Sequence, residues 1–453
     1  VLKKNSGVKN TLFAPPTRYQ QWVAEQMIPN QLSFGSKTVF CRVLPHPDNK
    51  EEWLLSADLW DVLSIPYEAS IRVYEKERML HLGPLVGILS AGFANQPHRP
   101  LGERSALFAN YLRLAKDIGG YFFLFGAHHI DWESGKIDGV FYTDHGWETF
   151  AVPFPHVVYD RLPNRRTERQ PAFRKVKARM QKQYLMPWFN TGFFNKWHVY
   201  ATLNNDGEMK KILPETIANP TLDDIEEMLK KYRHVYIKPE NGSLGLGVQQ
   251  ILKQENDPSY YCRFRDREMN RLRRFHDLRQ LLLRQFDKVQ LESMIAQQGI
   301  DLVKWRGRPL DFRIHANKDG KGEWQIAAIA AKISGQNSVT THIKSGGTVK
   351  TIDELHFHDA ALTDALNKLP ETALAISKTI DEKTEGFIGE IGFDMGIDKR
   401  GHIWMFEANS KPGRSIFSHP GLQDEEIATR RLPLEYAAYL AETSLIRPAL
   451  VLA

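Results

Sequence analysis

A chain of 453 residues with 42% hydrophobic and 25% charged residues has ordinary globular composition and room for roughly two to four domains, which excludes a disordered or fibrous protein. Its two cysteines, Cys41 and Cys262, lie far apart and outside any CxxC spacing, so neither a disulfide framework nor a cysteine-ligated metal is expected, and a reducing compartment fits. The net charge is +6, no apolar run reaches the length of a membrane span, and VLKKNSGVKN has no apolar signal core; a soluble, non-secreted protein without a membrane partner is expected.

The basic excess is clustered. Arg161 to Lys182 holds nine Lys/Arg against one acid, and Arg263 to Arg284 holds eight Arg against three acids. Such clusters attract nucleic acid, acidic polypeptide or nucleotide, or simply form a solvated helix face.

Residues 31 to 85 read as β-rich, with one short helix near Leu55 to Leu63. GPLVGILSA (83 to 91) reads as a buried strand, Arg104 to Ile118 as an apolar-periodic helix, and YFFLFGA (121 to 127) as strand again, which makes a β-α-β unit. Strands at Val140 to Tyr142 and Val157 to Tyr159 complete a small α/β domain. His128-His129 and His356-Phe357-His358 have no third ligand at metal spacing and read as surface histidines.

A strand is expected at His198 to Leu203 and a helix at Thr221 to Lys231, capped by Thr221 with acids early and lysines late. The stretch HVYIKPENGSLGLGVQQILK (234 to 253) is a strand, a glycine loop and a second strand. Gly242, Ser243, Gly245 and Gly247 let backbone N–H groups turn around a phosphate, and Lys238 supplies a cation; the alternative is a glycine hairpin without a ligand. It is neither a P-loop nor a dinucleotide fingerprint. Arg263 to Phe286 reads as a basic amphipathic helix, Leu310 to Ile314 as a strand paired with Gly322 to Ile333, and Ala360 to Lys368, Glu371 to Thr379 and Pro433 to Ile446 as closing helices.

Near the C-terminus, GFIGEIGFDMGIDKRGHIWMFEANSKPGRSIF (386 to 417) reads as a hairpin turning at Asp398 to Gly401. With Ile397 opposite His402, Asp394, Glu407 and Asn409 share one face and the two carboxylates are diagonal neighbours about 7–8 Å apart. Ile391, Phe393, Met395, Trp404, Phe406 and Ala408 then cover the other face. Oxygen donors in this arrangement suit Mg²⁺, although a hairpin with acids on a solvated face has the same pattern.

In this order, residues 190 to 417 resemble the ATP-grasp superfamily of carboxylate-amine ligases. Tyr236-Ile237-Lys238-Pro239 with its glycine loop, Asp311-Phe312-Arg313, and Gly392-Phe393-Asp394 followed by Glu407-Ala408-Asn409 carry the resemblance. Leu82 to Ile88, Tyr159-Asp160-Arg161, Asn195-Lys196-Trp197, Gln297-Gln298-Gly299-Ile300 and Asn409-Ser410-Lys411-Pro412 are similar to its YheC/YheD endospore coat-associated branch. The implied fold class is α+β: an ATP-grasp domain of two lobes (171–453), preceded by a pre-ATP-grasp α/β domain (83–170) and a β-rich N-terminal region (1–82).

The resemblance further implies ATP and Mg²⁺ as cofactors. Lys196 and Lys238 would contact nucleotide phosphates under a flap at Ser243 to Gly247, with Gly242 also binding the cofactor, and Gln297, Gln298 and Ile300 would line the adenine hinge. Asp394, Glu407 and Asn409 would hold the metal, and Arg313, Arg414 and Lys238 would act on the transferred phosphoryl group. The implied activity is an ADP-forming ligase joining a carboxylate to an amine, in the mother-cell cytoplasm or on the spore coat, with acidic peptide or coat protein among its substrates. A non-catalytic coat scaffold is the alternative. No recognised nucleic-acid module or aromatic interleaving accompanies the arginine-rich segment, so a nucleic-acid partner is not expected.

Overall fold

The computed structural model describes residues 1–242, 246–255, 257–267, 269–286, 291–336, 338–339, 341, 346–357 and 359–449. The first 83 residues form two four-stranded sheets and the short helices Pro16–Ala24 and Ala57–Leu63. Next comes a sheet centred on Leu85–Leu89, which pairs in parallel with Tyr121–Phe125 and Val157–Asp160. Every residue of these three strands is buried, because helices or sheets cover both faces. The N-terminal sheets and helix Pro171–Lys182 pack on one face. Helix Ser105–Ile118 and the C-terminal helix Gln423–Ile446 pack on the other, so the end of the chain returns to the first α/β sheet.

Two further sheets follow. The first is antiparallel, in the order Thr216–Ala218, Met294–Gln298, His234–Pro239, Gln249–Lys253, Tyr260–Asp266 and Met269–Phe275. Helices Leu222–Tyr232 and Leu278–Gln285 cover its apolar side. The expected cap on the first of these helices is present: Thr221 Oγ1 accepts the Asp224 N–H at 3.1 Å and Asp224 accepts the Thr221 N–H at 2.8 Å. The second sheet runs Thr348–Lys350, Trp324–Ile333, Arg308–Lys318, Glu390–Ile397 and Ile403–Asn409, with helix Ala360–Lys383 behind it. Among the described residues no helix is long and apolar enough to cross a membrane. Both cysteines are buried and free.

Three local expectations are corrected. Residues 198–203 lie in helix Lys196–Asn204, not a strand. Asn195 caps it by accepting the His198 N–H at 2.9 Å, and Val199 and Leu203, one turn apart, are both buried. The arginine-rich segment is not one helix. Tyr260–Asp266 and Met269–Phe275 form a hairpin that leaves Met269 and Leu272 exposed, and only Leu278–Gln285, capped by Asp277, is helical. The two helices expected on either side of Pro370 are one continuous helix.

Candidate active site

The C-terminal hairpin turns through five residues. Asp398 holds the turn: its carboxylate accepts the N–H groups of Arg400 and His402 at 2.8 and 3.0 Å, and its own N–H donates to the His402 carbonyl. Ile397 therefore faces Ile403, not His402, and an irregularity after Asp394 brings Asp394 directly opposite Glu407 and Gly392 opposite Asn409. The shared face of Asp394, Glu407 and Asn409 survives, but the carboxylates are direct partners, closer than the expected diagonal. Met405, not Trp404 or Phe406, joins Ile391, Phe393, Met395 and Ala408 in the core. Gly392 has a steric reason: a Cβ there would lie 2.4 Å from Cβ of Pro412, where the chain folds back over the strand.

Cations converge on this face. Asp394 accepts Lys332 Nζ at 2.6 Å and faces Arg313 Nη2 at 3.3 Å. Burial alone would raise its carboxyl, but the Arg313 and Lys332 charges outweigh burial and hold it below the usual carboxylate range. Asp311 lies 3.1 Å from Lys332 and accepts the Thr341 hydroxyl at 2.6 Å. Burial raises the Asp311 carboxyl, with Lys332 opposing. Sequence reading singled out Asp311 and Arg313 but not Lys332, although it alternates with apolar neighbours on the paired strand as they do.

From the facing sheet, Lys238 donates to Gln297 Oε1 at 2.7 Å, and Gln297 Nε2 donates to Thr216 Oγ1 at 3.1 Å. Burial lowers the Lys238 ammonium to about 8, with Glu407 opposing the shift and Lys196 adding to it. Lys196 bridges the two sheets: its Nζ is 3.1 Å from Glu407 and donates to the Gly242 carbonyl at 2.6 Å. Lys196, Tyr200, Thr216, Ile295, Gln297 and Phe406 line a slot between the sheets. The slot encloses only about 20 Å³ as packed here, so admitting a nucleotide base requires the sheets to part.

Of the three hinge residues, Gln297 lines this slot. Gln298 turns its side chain to the Glu215 N–H, 3.0 Å away, and the half-buried Ile300 is not among the lining residues. Gly247 adopts φ +75° over Pro239. Ser243 and Gly245 lie outside the described residues. Arg414 donates to the Glu426 carbonyl and to Thr429 Oγ1, at 2.9 and 2.8 Å, on the C-terminal helix.

The hairpin is also tied to the first α/β sheet. Glu390, nearly fully buried, accepts Tyr159 OH at 2.8 Å and Arg161 Nη1 at 2.5 Å. Lys411, just past the hairpin, donates to buried Asp160 at 2.6 Å.

A YheC/D-like ATP-grasp family model matches residues 185–440. The chain is 41% identical over 445 residues to the endospore coat-associated protein YheD of Bacillus subtilis (strain 168), covering 97% of this chain and 96% of that protein. It is 23% identical to YheC of the same organism, over 65% of this chain and 80% of that one. Among solved structures, the D-alanine–D-alanine ligase from Bacillus anthracis aligns with 78% of this chain and 98% of its own, at 12% identity and TM-score 0.44. The chain belongs to the YheC/D-like ATP-grasp family.

Proposed function

We propose that this protein is an ATP- and Mg²⁺-dependent carboxylate-amine ligase that forms an amide or peptide bond through an acyl phosphate. The observation that carries this reading is the direct opposition of Asp394 and Glu407 beneath Lys196, Lys238, Lys332 and Arg313. The donor set fits magnesium. Two carboxylates and the Asn409 amide offer oxygen on one face of the hairpin. That is the pattern of a cation that takes one or two carboxylates and completes its shell with water and phosphates.

Transfer of a phosphoryl group from ATP to a carboxylate brings anion to anion. Bound magnesium would supply charge neutralisation between the phosphates. Lys238, fixed by Gln297, and Lys196, spanning Glu407 and Gly242, bind phosphate oxygens. Lys332 holds Asp311 and Asp394 in register, and Arg313, whose Nη2 faces Asp394, adds positive charge beside the transferred group. The amine then forms the new C–N bond as the acyl C–O bond to phosphate breaks, and orthophosphate and ADP leave. The name of the Bacillus relatives supports a substrate in the spore coat and a place in the mother-cell cytoplasm or on the coat.

Incubation with ATP, Mg²⁺ and pooled amino acids, peptides and coat extract tests the reading by mass spectrometry. The expected product is one water lighter than its two reactants, with one ADP released per bond. Nucleotide binding without any condensed product would instead mark a non-catalytic coat scaffold.

A further inference from the structure

Beyond the acids on the hairpin, strand Arg308–Lys318 carries Arg313 and His315 on the same face toward a second group of cations. His315 is 1% exposed, its Nε2 has no partner, and its ring packs 5.3 Å from that of Phe417. On the same Phe417 ring lies the Arg414 guanidinium, 4.8 Å from the centroid. Arg414 and Arg161 each lie 6.0 Å from the ring of Tyr111, whose buried hydroxyl is also unpartnered. Arg430, one turn beyond Glu426 on the C-terminal helix, completes the group.

The partners of this group do not balance it. Arg161 is neutralised by Glu390. Arg414 and Arg430 share the single carboxylate of Glu426, which bonds Arg430 and stands 4.0 Å from Arg414. The Nε–H groups of Arg414 and Arg430, like Arg313 Nη1, are buried without an acceptor. Burial and the neighbouring Arg414 charge both depress the Arg430 guanidinium, as expected of like charges held together out of water. Unpaired buried donors and adjacent like charges are costly in a folded chain, and such an arrangement marks a site where an anion supplies what is missing. Arg414 and Arg430 keep 14% and 12% of their side-chain exposure, so they are in reach of solvent and of a small anion rather than sealed in a core. Arg313 joins this cluster to the hairpin, since its other nitrogen touches Asp394.

We propose that this cluster is a subsite for a second carboxylate on a ligase substrate, so that the enzyme selects an acidic amino acid or the acidic end of a peptide. The assignment rests on the ligase reading for its link to chemistry but not for binding. Guanidinium forks match the planar carboxylate, Arg414 and Arg430 gain the charge they lack, and Arg313 sets the distance to the reacting end. A purely structural role, stapling the C-terminal helix, would leave affinity for acids unchanged.

The test is calorimetric titration of the full-length chain without nucleotide, using L-glutamate, L-glutamine, isoglutamine and a short oligoglutamate peptide, followed by the same panel in the ADP-release assay. Glutamate or oligoglutamate binds at least about tenfold more tightly than the amide that removes the recognised carboxylate, and comparing glutamine with isoglutamine tells which carboxylate that is. Arg430→Gln raises Kd and KM for the acid by about tenfold or more while kcat changes less, and Arg430→Lys recovers part of the loss. Equal affinity for acid and amides, or unchanged Kd in Arg430→Gln and Arg414→Gln, overturns the subsite. If Arg430→Gln does not fold, Arg430→Lys and the amide comparison decide. Acid binding without any condensation defeats the ligase reading alone, whereas condensation of neutral substrates alone defeats this one.

Discussion

The hairpin of Glu390–Ile397 and Ile403–Asn409 separates two charge networks built on opposite principles. Toward the slot between the two sheets the contacts close: Lys238 meets Gln297, Gln297 meets Thr216, Thr216 donates to the Pro214 carbonyl, and Lys196 spans Glu407 and Gly242. The seam to the first α/β sheet is closed too, with Lys411 and Trp188 both donating to Asp160. Toward the C-terminal helix, Arg313, Arg414 and Arg430 each keep a buried donor without an acceptor. A closed network fixes positions and loses stability when a member is removed; an open one has little to lose until a ligand completes it.

The sharpest way to break this contrast is at the seam. Lys411→Met removes the ion-pair partner of buried Asp160, leaving it only the Trp188 and Leu162 N–H donors, and is expected to destabilise the protein by about 3 kcal/mol in urea unfolding. Glu407→Gln keeps the shape of the slot but removes one carboxylate of the metal face. ADP release should fall by about 10²-fold or more with the urea midpoint little changed, and unchanged turnover would remove Glu407 from the metal assignment. Gly392→Ala forces a methyl against Pro412 and should cost about 1–3 kcal/mol as the returning chain is pushed off the hairpin. In the open network, Arg430→Leu without ligand should change stability by no more than about 1 kcal/mol, because it relieves the like-charge contact with Arg414 as it loses Glu426. A loss as large as that of Lys411→Met would show that both networks are structural.

A separate effect concerns pH. His156 accepts the Leu85 N–H at 2.9 Å, its Nε2 is buried, and burial lowers its pKa to about 3. Below about 6.5 the unfolded chain takes up a proton that the folded chain refuses, so this contribution is lost as pH falls from about 6.5 toward 3. His156→Asn keeps an acceptor for Leu85 without that proton, and its unfolding midpoint should fall less between pH 7.5 and 5.

What could be read from the chain depended on whether the signal was local. Thr221 with Asp224, the β-α-β unit, and the Asp394 and Glu407 face are short-range patterns and were legible. The exact pairing of Asp394 with Glu407 was not, since it depends on a five-residue turn held by Asp398 and an irregularity at Phe406 that hydropathy does not reveal. Around Arg263 to Phe286, alternating arginines look alike in helical and extended frames, and the cross-strand pairing of Cys262 with Arg273 decided the matter. A strand was expected over 198–203, but burial of Val199 and Leu203 at one-turn spacing behind the Asn195 cap makes a helix. The arginine cluster gathers residues 111, 161, 313, 414 and 430, which no local motif links; Arg161, Arg313 and Arg414 were singled out in separate motifs, whereas Arg430 was not, and nothing in sequence brought the four together.

The central claim, that the hairpin acids and the lysines facing them hold a magnesium nucleotide, is tested most directly by calorimetric titration of ATP into the intact protein. The account predicts saturable one-to-one uptake that requires Mg²⁺ and is lost with a chelator or in Glu407→Gln. Uptake that is absent, or that is the same with and without magnesium and in that variant, would contradict it.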